Sequence, residues 1–190
     1  MATLRRLRDR VPIGDEDTHE PASSAQHSRR THAARASLRG LQAGFVATLV
    51  MTAYRLPIMR SLPPSANFWA QHVSGGDPKD HPIVGLALHL LYGTTAGAVF
   101  GGVFALQDAE RALEAEQRGL LWGSVYGMVL SAFGSQVLLR EVLDLRLDAD
   151  ELTLFHAGHL VYGLALGAWV GSRTEGVSDP ETEYEYGEGN

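Results

Sequence analysis

The 190-residue chain contains no cysteine. That excludes a disulfide framework, a thiolate nucleophile and any cysteine-ligated metal. Lysine is nearly as scarce: Lys79 is the only one, and arginine supplies every other cation. This bias, beside an excess of Asp and Glu (formal net charge −6), fits a GC-rich, salt-adapted source. Familiar catalytic signatures are missing too. There is no phosphate-binding G-x-x-x-x-G-K-[ST], no G-x-S-x-G, no H-E-x-x-H and no dinucleotide fingerprint. No catalytic residue, cofactor or dedicated metal site is expected, and no nucleic-acid partner. The first 37 positions are polar and carry no secretory signal pattern.

Charge itself is missing from four blocks, Gly40–Tyr54, Ile83–Leu106, Gly119–Leu139 and Leu152–Ser172, none of which holds an Asp, Glu, Lys or Arg. The near-zero mean hydropathy of the whole chain hides this segregation. At 1.5 Å per residue, a helix of about 20 residues is ~30 Å long, the thickness of a bilayer's hydrocarbon core. A soluble bundle would keep a charged face on each helix, and these blocks have none. The pattern predicts an all-α integral membrane protein, a four-helix bundle bounded by polar tails. The helices are expected at about 38–59, 83–106, 118–139 and 152–172. Arg55 and Pro57 interrupt the end of the first, where Arg55 can snorkel to the interface. Residues 1–37 and the acidic stretch 173–190 show no helical or strand period and read as disordered. The segment Arg140–Glu151, alternating leucine with charge, reads as a surface-lying turn of helix.

The four blocks are related in pairs. At an offset of 79, Arg39-Gly40-Leu41 matches Arg118-Gly119-Leu120, Gly44 matches Gly123, and Thr52-Ala53-Tyr54 matches Ser131-Ala132-Phe133. At an offset of 70, His89-Leu90 matches His159-Leu160, Tyr92-Gly93 matches Tyr162-Gly163, Gly97-Ala98 matches Gly167-Ala168, and Gly101 matches Gly171. The shared H-x-x-Y-G-x-x-x-G-A-x-x-G implies a duplicated two-helix unit. Each unit holds an even number of spans, so the symmetry axis should lie along the membrane normal. Small residues recur every fourth position: Gly40 and Gly44, then Gly93, Gly97 and Gly101, then Gly119, Gly123 and Gly127, then Gly163, Gly167 and Gly171. Such stripes let helix backbones approach closely in lipid, where no hydrophobic drive joins helices. The same stripe would serve an interface between copies of the chain.

His89 and His159 extend the glycine stripes by one turn, which turns them toward protein. Tyr92 and Tyr162 flank them at i+3, and Thr52 and Ser131 reach the same depth from the first and third helices. An ionisable residue inside a membrane is a candidate functional site. Three roles remain open: neutral rings hydrogen-bonded across helices, a proton or ion relay, and paired ligation of a metal or haem iron. Each ring is expected to meet a hydroxyl or carbonyl from the first or third helix. The two rings are expected to stand too far apart for one metal ion.

Arginine placement orients the chain. With both termini cytoplasmic, eleven cations lie inside (the eight arginines up to Arg39, with Arg111, Arg118 and Arg173) and five outside. Taken together, G-F-V-A-T-L-V-M-T-A-Y at 44–54, A-N-F-W-A-Q-H-V-S-G-G-D-P at 66–78 and H-L-L-Y-G-T-T-A-G at 89–97 resemble small uncharacterised multi-span membrane proteins of halophilic archaea. More distantly they are similar to the YagU-like inner-membrane proteins of bacteria. The resemblance covers about Gly40 to Gly171. It implies a multi-pass cell-membrane protein and supplies no catalytic residues. The function expected is a structural or accessory membrane role, with the lipid bilayer as partner. The alternatives are a transporter or channel subunit using the His/Thr/Ser layer, and a haem-holding redox protein.

Overall fold

The computed structural model describes residues 21–57, 63–106 and 114–173; over 21–29 it describes the backbone alone. The described residues are mostly helical, without strands: α1 (Pro21–Arg55), α2 (Pro64–Trp69), α3 (Pro82–Leu106), α4 (Ala115–Phe133) and α5 (Ala149–Ser172). Two of these, α3 and α5, are long and apolar enough to cross a membrane.

Helix α1 differs most from expectation. It begins at Pro21, well inside the stretch expected to be disordered, and ends at Arg55 instead of near 59. Proline suits the first helical position. The residues that follow, from Ala22 to Leu38, include five alanines and three arginines, which favour helix without any amphipathic period. An added turn on an existing helix also costs less than a new nucleus. At the other end the amide of Leu56 bonds Thr52 O at 3.0 Å. Pro57 has no amide to continue the ladder. Residues 1–20, 107–113 and 174–190, with most of both expected tails, lie outside the described residues.

The connection after α4 is the second difference. The helix continues past Phe133 as a π-helix over Gly134–Val142. It then turns at Asp144, whose φ is +48°. From Leu143 to Asp148 the chain is not a surface helix. Leucine alternates with Asp144, Arg146 and Asp148, a period of two that belongs to extended backbone. Leu143 is buried, and Leu145 and Leu147 join it against Leu139 and Phe155. Asp148 and Glu151 then form a capping box that starts α5.

Helix α1 packs on α3, α4 packs on α5, and α1 and α5 join the pairs. Within each pair the backbones nearly touch. A methyl group added at Gly44 would lie 2.8 Å from the Cα of Gly97, and one at Gly123 would lie 2.8 Å from the Cα of Gly167. Gly40 faces Gly97 and Gly101 as Gly119 faces Gly167 and Gly171. One antiparallel register therefore holds both pairs, and the matched residues are those aligned by sequence. Where the pairs join, Ala43, Ala47, Met51, Phe100, Phe104, Tyr162 and Leu166 form the larger core. Outward positions carry large apolar residues, among them Phe45, Leu49, Val99, Val103, Trp122 and Val129.

This contact predicts a ranked mutation series. Gly97→Ala and Gly167→Ala press a methyl into a facing backbone that cannot rotate away, and should each cost about 1–3 kcal/mol or more. Gly102→Ala meets only the Ser37 hydroxyl, which can turn aside. It should cost under about 1 kcal/mol, like Val99→Ala on the outer face. Thermal unfolding in detergent reads the order, and equal melting of all four variants would refute it.

Candidate functional site

The contact between α3 and α4 is narrow. It is made where Tyr126 donates its hydroxyl to Ala96 O at 2.8 Å and lies 5.3 Å from the Phe100 ring. Beyond that point, toward the start of α3, the two helices part and leave a cavity of about 400 Å³. Its α3 wall runs from Leu88 through His89, Leu91 and Tyr92 to Thr95. Gly134, Leu138 and Leu139 of the π-helix form the opposite wall, and Phe155 and His159 of α5 form the back. Arg55 enters from the end of α1.

Helix α2 crosses the outer end with Pro64, Ser65 and Phe68. It is held there from both sides. Ser65 donates to Gly85 O at 2.6 Å, and Ala66 sits against Gly85, where a side chain would collide with it. On the other side Phe68 packs on the Leu139–Leu143–Phe155 cluster, and the Gln71 amide donates to Leu143 O at 3.3 Å. The mouth lies at the α3 edge, where Leu91, Tyr92 and Thr95 are exposed. A second void of about 10 Å³ lies deeper, bounded by His89, Tyr92, His159 and Tyr162.

The two histidines therefore share one cavity but differ in state. His159 is buried, and its Nδ1 lies 2.9 Å from Phe155 O, a carbonyl of its own helix. A carbonyl accepts only from N–H, so the proton sits on Nδ1 and Nε2 is left as an acceptor. The half-buried His89 ring has no hydrogen-bond partner among the described residues. The expected partners from the first and third helices are absent. Thr52 donates to Thr48 O at 2.7 Å, within α1. Ser131 meets His156 Nδ1, not His159, at 2.7 Å. Both hydroxyls are satisfied a turn away from where the expectation put them.

The tyrosines divide in the same way. Tyr162 is 3 % exposed and donates across helices to Gly93 O at 2.7 Å. Tyr92, at the equivalent position in the other pair, is 41 % exposed and has no described hydrogen-bond partner. No group of three or more His, Asp and Glu is disposed to hold a metal among the described residues. The main residue that sequence reasoning passed over is Arg55. At the offset of 79 its counterpart is Gly134. A cation where the aligned position has glycine was the available signal. Its stem runs over a matching gap: a methyl added at Gly158 would lie 3.3 Å from Arg55 Cδ.

The characteristic pattern of one protein family fits residues 34–180, which span every helix lining this cavity. The chain belongs to DUF6789, a family of unknown function. No curated protein and no solved structure matches the chain. The DUF6789 match includes Arg55, His89, Tyr92 and His159 but not the start of α1.

The unequal tyrosines make a direct prediction. Tyr162→Phe should lower stability by about 1–2 kcal/mol, because it strips a buried donor from Gly93 O. Tyr92→Phe should leave the melting temperature unchanged. Equal losses from the two variants would contradict this division.

Proposed function

We propose that this DUF6789 chain is a multi-span membrane protein that holds a small, largely apolar molecule in the cavity between α3 and the π-helix that continues α4. The observation that carries the proposal is the cavity's composition. Arg55, His89 and Tyr92 stand in walls otherwise dominated by leucine and phenylalanine. A site of about 400 Å³ with a few convergent polar groups in apolar walls has the character of small-molecule sites. The accessory role read from the sequence thus takes a concrete form, a binding module without catalysis.

The membrane reading rests on an inside-out distribution. Glycine and alanine fill the contacts between helices while leucine, valine, phenylalanine and tryptophan cover the outside. Soluble monomers rarely expose contiguous apolar patches larger than a few hundred Å². The charge-free blocks of α1 and α4 complete a set of four spans with α3 and α5. The common register of the two glycine contacts supports descent from a duplicated two-helix unit. The resemblance to halophile membrane proteins and, more distantly, to YagU-like proteins points the same way. Arginine distribution favours a cell-membrane protein with both termini cytoplasmic.

Two measurements test this placement. The full chain should remain in the membrane fraction after alkaline extraction. Reporter fusions after Ser172 should report the cytoplasm, and fusions at Gly75 the exterior. Release by alkali would overturn the membrane reading, and a cytoplasmic Gly75 would reverse the orientation.

A further inference from the structure

We infer that the cavity takes a single-chain amphiphile with an anionic head group, a long-chain carboxylate, with its head at Arg55 and its tail directed toward the gap between α3 and the π-helix. The inference rests on the cavity being the working site and adds the chemistry of its ligand.

Charge gives the head group its sign. Arg55 lines the cavity, and among the described residues no Asp or Glu does. A cation beside apolar walls attracts an anionic group more strongly than the same cation would in water. A guanidinium has five N–H donors, so Arg55 can keep a contact within the protein and still present donors to a ligand. Its planar fork matches a carboxylate.

Unspent hydrogen bonding gives the same answer independently. His89 and Tyr92 stand at i and i+3 on one face of α3, both on the cavity. Neither has a hydrogen-bond partner among the described residues. The other polar groups are committed internally: Ser65 to Gly85 O, Thr95 to Leu91 O at 2.8 Å, and His159 Nδ1 to Phe155 O. The Tyr92 hydroxyl and a His89 N–H are donors, and with Arg55 they suit a head group rich in acceptors.

Shape gives the rest of the molecule. Leu88, Leu91, Leu138, Leu139 and Phe155 surround the remaining space. A volume of about 400 Å³ lies near the lower end of the ~300–1,000 Å³ range of ligand sites, which suits one chain better than the two of a phospholipid. The exposed rim of Leu91 and Thr95 lies beside the outer apolar surface, so a tail can enter sideways from lipid.

The test is native mass spectrometry of the full chain, released from a non-ionic detergent after incubation with oleate or with oleyl alcohol. The two share a chain and differ in charge. Oleate should be retained at least about tenfold better, the size expected of a charge-assisted bond. Arg55→Gln should abolish that preference, lowering oleate retention to the level of the alcohol. Tyr92→Phe, at an exposed hydroxyl, should weaken oleate severalfold in a chain that folds normally. It carries the test if Arg55→Gln does not fold. Thr95→Trp should block both ligands by filling the mouth.

If oleate and oleyl alcohol bind alike and Arg55→Gln and Tyr92→Phe change neither, the anionic head group is wrong while the cavity reading stands. If neither ligand binds to folded protein, both readings fall. Oleate binding that survives Thr95→Trp would place the ligand elsewhere and overturn the site.

Discussion

Everything in this structure depends on two places where one helix backbone is pressed against another. Gly40 and Gly44 lie on Gly93, Gly97 and Gly101, and Gly119 and Gly123 lie on Gly163, Gly167 and Gly171. At such a distance any side chain is excluded, so these two contacts are made of hydrogen atoms and peptide groups. Many large apolar residues point outward instead, among them Phe45, Val99, Val103 and Trp122. In water that arrangement would be unstable, since it buries little apolar area where burial is the main driving force. In lipid, where tails are as apolar as leucine, close packing is what remains to hold helices together. The membrane placement we propose follows from this one constraint.

The cavity arises where the two pairs stop being equivalent. In the second pair Gly127 lies directly on the His159 carbonyl, which keeps α5 tight against α4 and buries the ring. The equivalent of Gly127 in the first pair is Thr48, whose side chain seats in the gap of Gly93. Phe155 covers Gly134 in the second pair. The counterparts in the first are Gly85, covered by Ala66 of α2, and Arg55, which reaches across to Gly158. These differences separate the two helix pairs into a sealed half, with His159 and Tyr162 hydrogen-bonded inside, and an open half, with His89 and Tyr92 facing space.

The helices are legible in the sequence because charge is so cleanly excluded from them. The packing stripes are legible because glycine weakens a helix, and its return at every fourth position makes sense where a second backbone must come close. The start of α1 is not legible. Its residues favour helix individually but show no period, and an amphipathic or apolar period is what marks a helix in sequence. The segment after Val142 carries the signal of extended chain, alternation of leucine and charge, yet so short a run also suits a turn of surface helix. Its register becomes unambiguous only once Leu143 and Phe155 are known to meet. At the site, His89, His159 and Tyr92 stand out in the sequence and do share the cavity, while Thr52 and Ser131 do not line it. Matching depth along helices predicts neighbours only if the helices keep their rotation. Here Ser131 faces His156 instead. The position of Arg55 at a helix end suggests snorkelling to a membrane surface; its inward turn depends on Gly158, more than a hundred positions away along the chain.

The proposed membrane placement requires glycine faces inside and large apolar faces against lipid. The absence of native cysteine makes it directly measurable. Single cysteines along α3 can carry spin labels in the full chain reconstituted into bilayers, and relaxation by oxygen can be compared with relaxation by a water-soluble nickel chelate. Labels at Val99 and Val103 should be open to oxygen and closed to nickel. A label at the buried Ala96 should be shielded from both, so that access follows the 3.6-residue helical period. Nickel reaching Val99 and Val103 as readily as it reaches a label at exposed Arg140 would contradict the account, because it would place the apolar face of α3 in water.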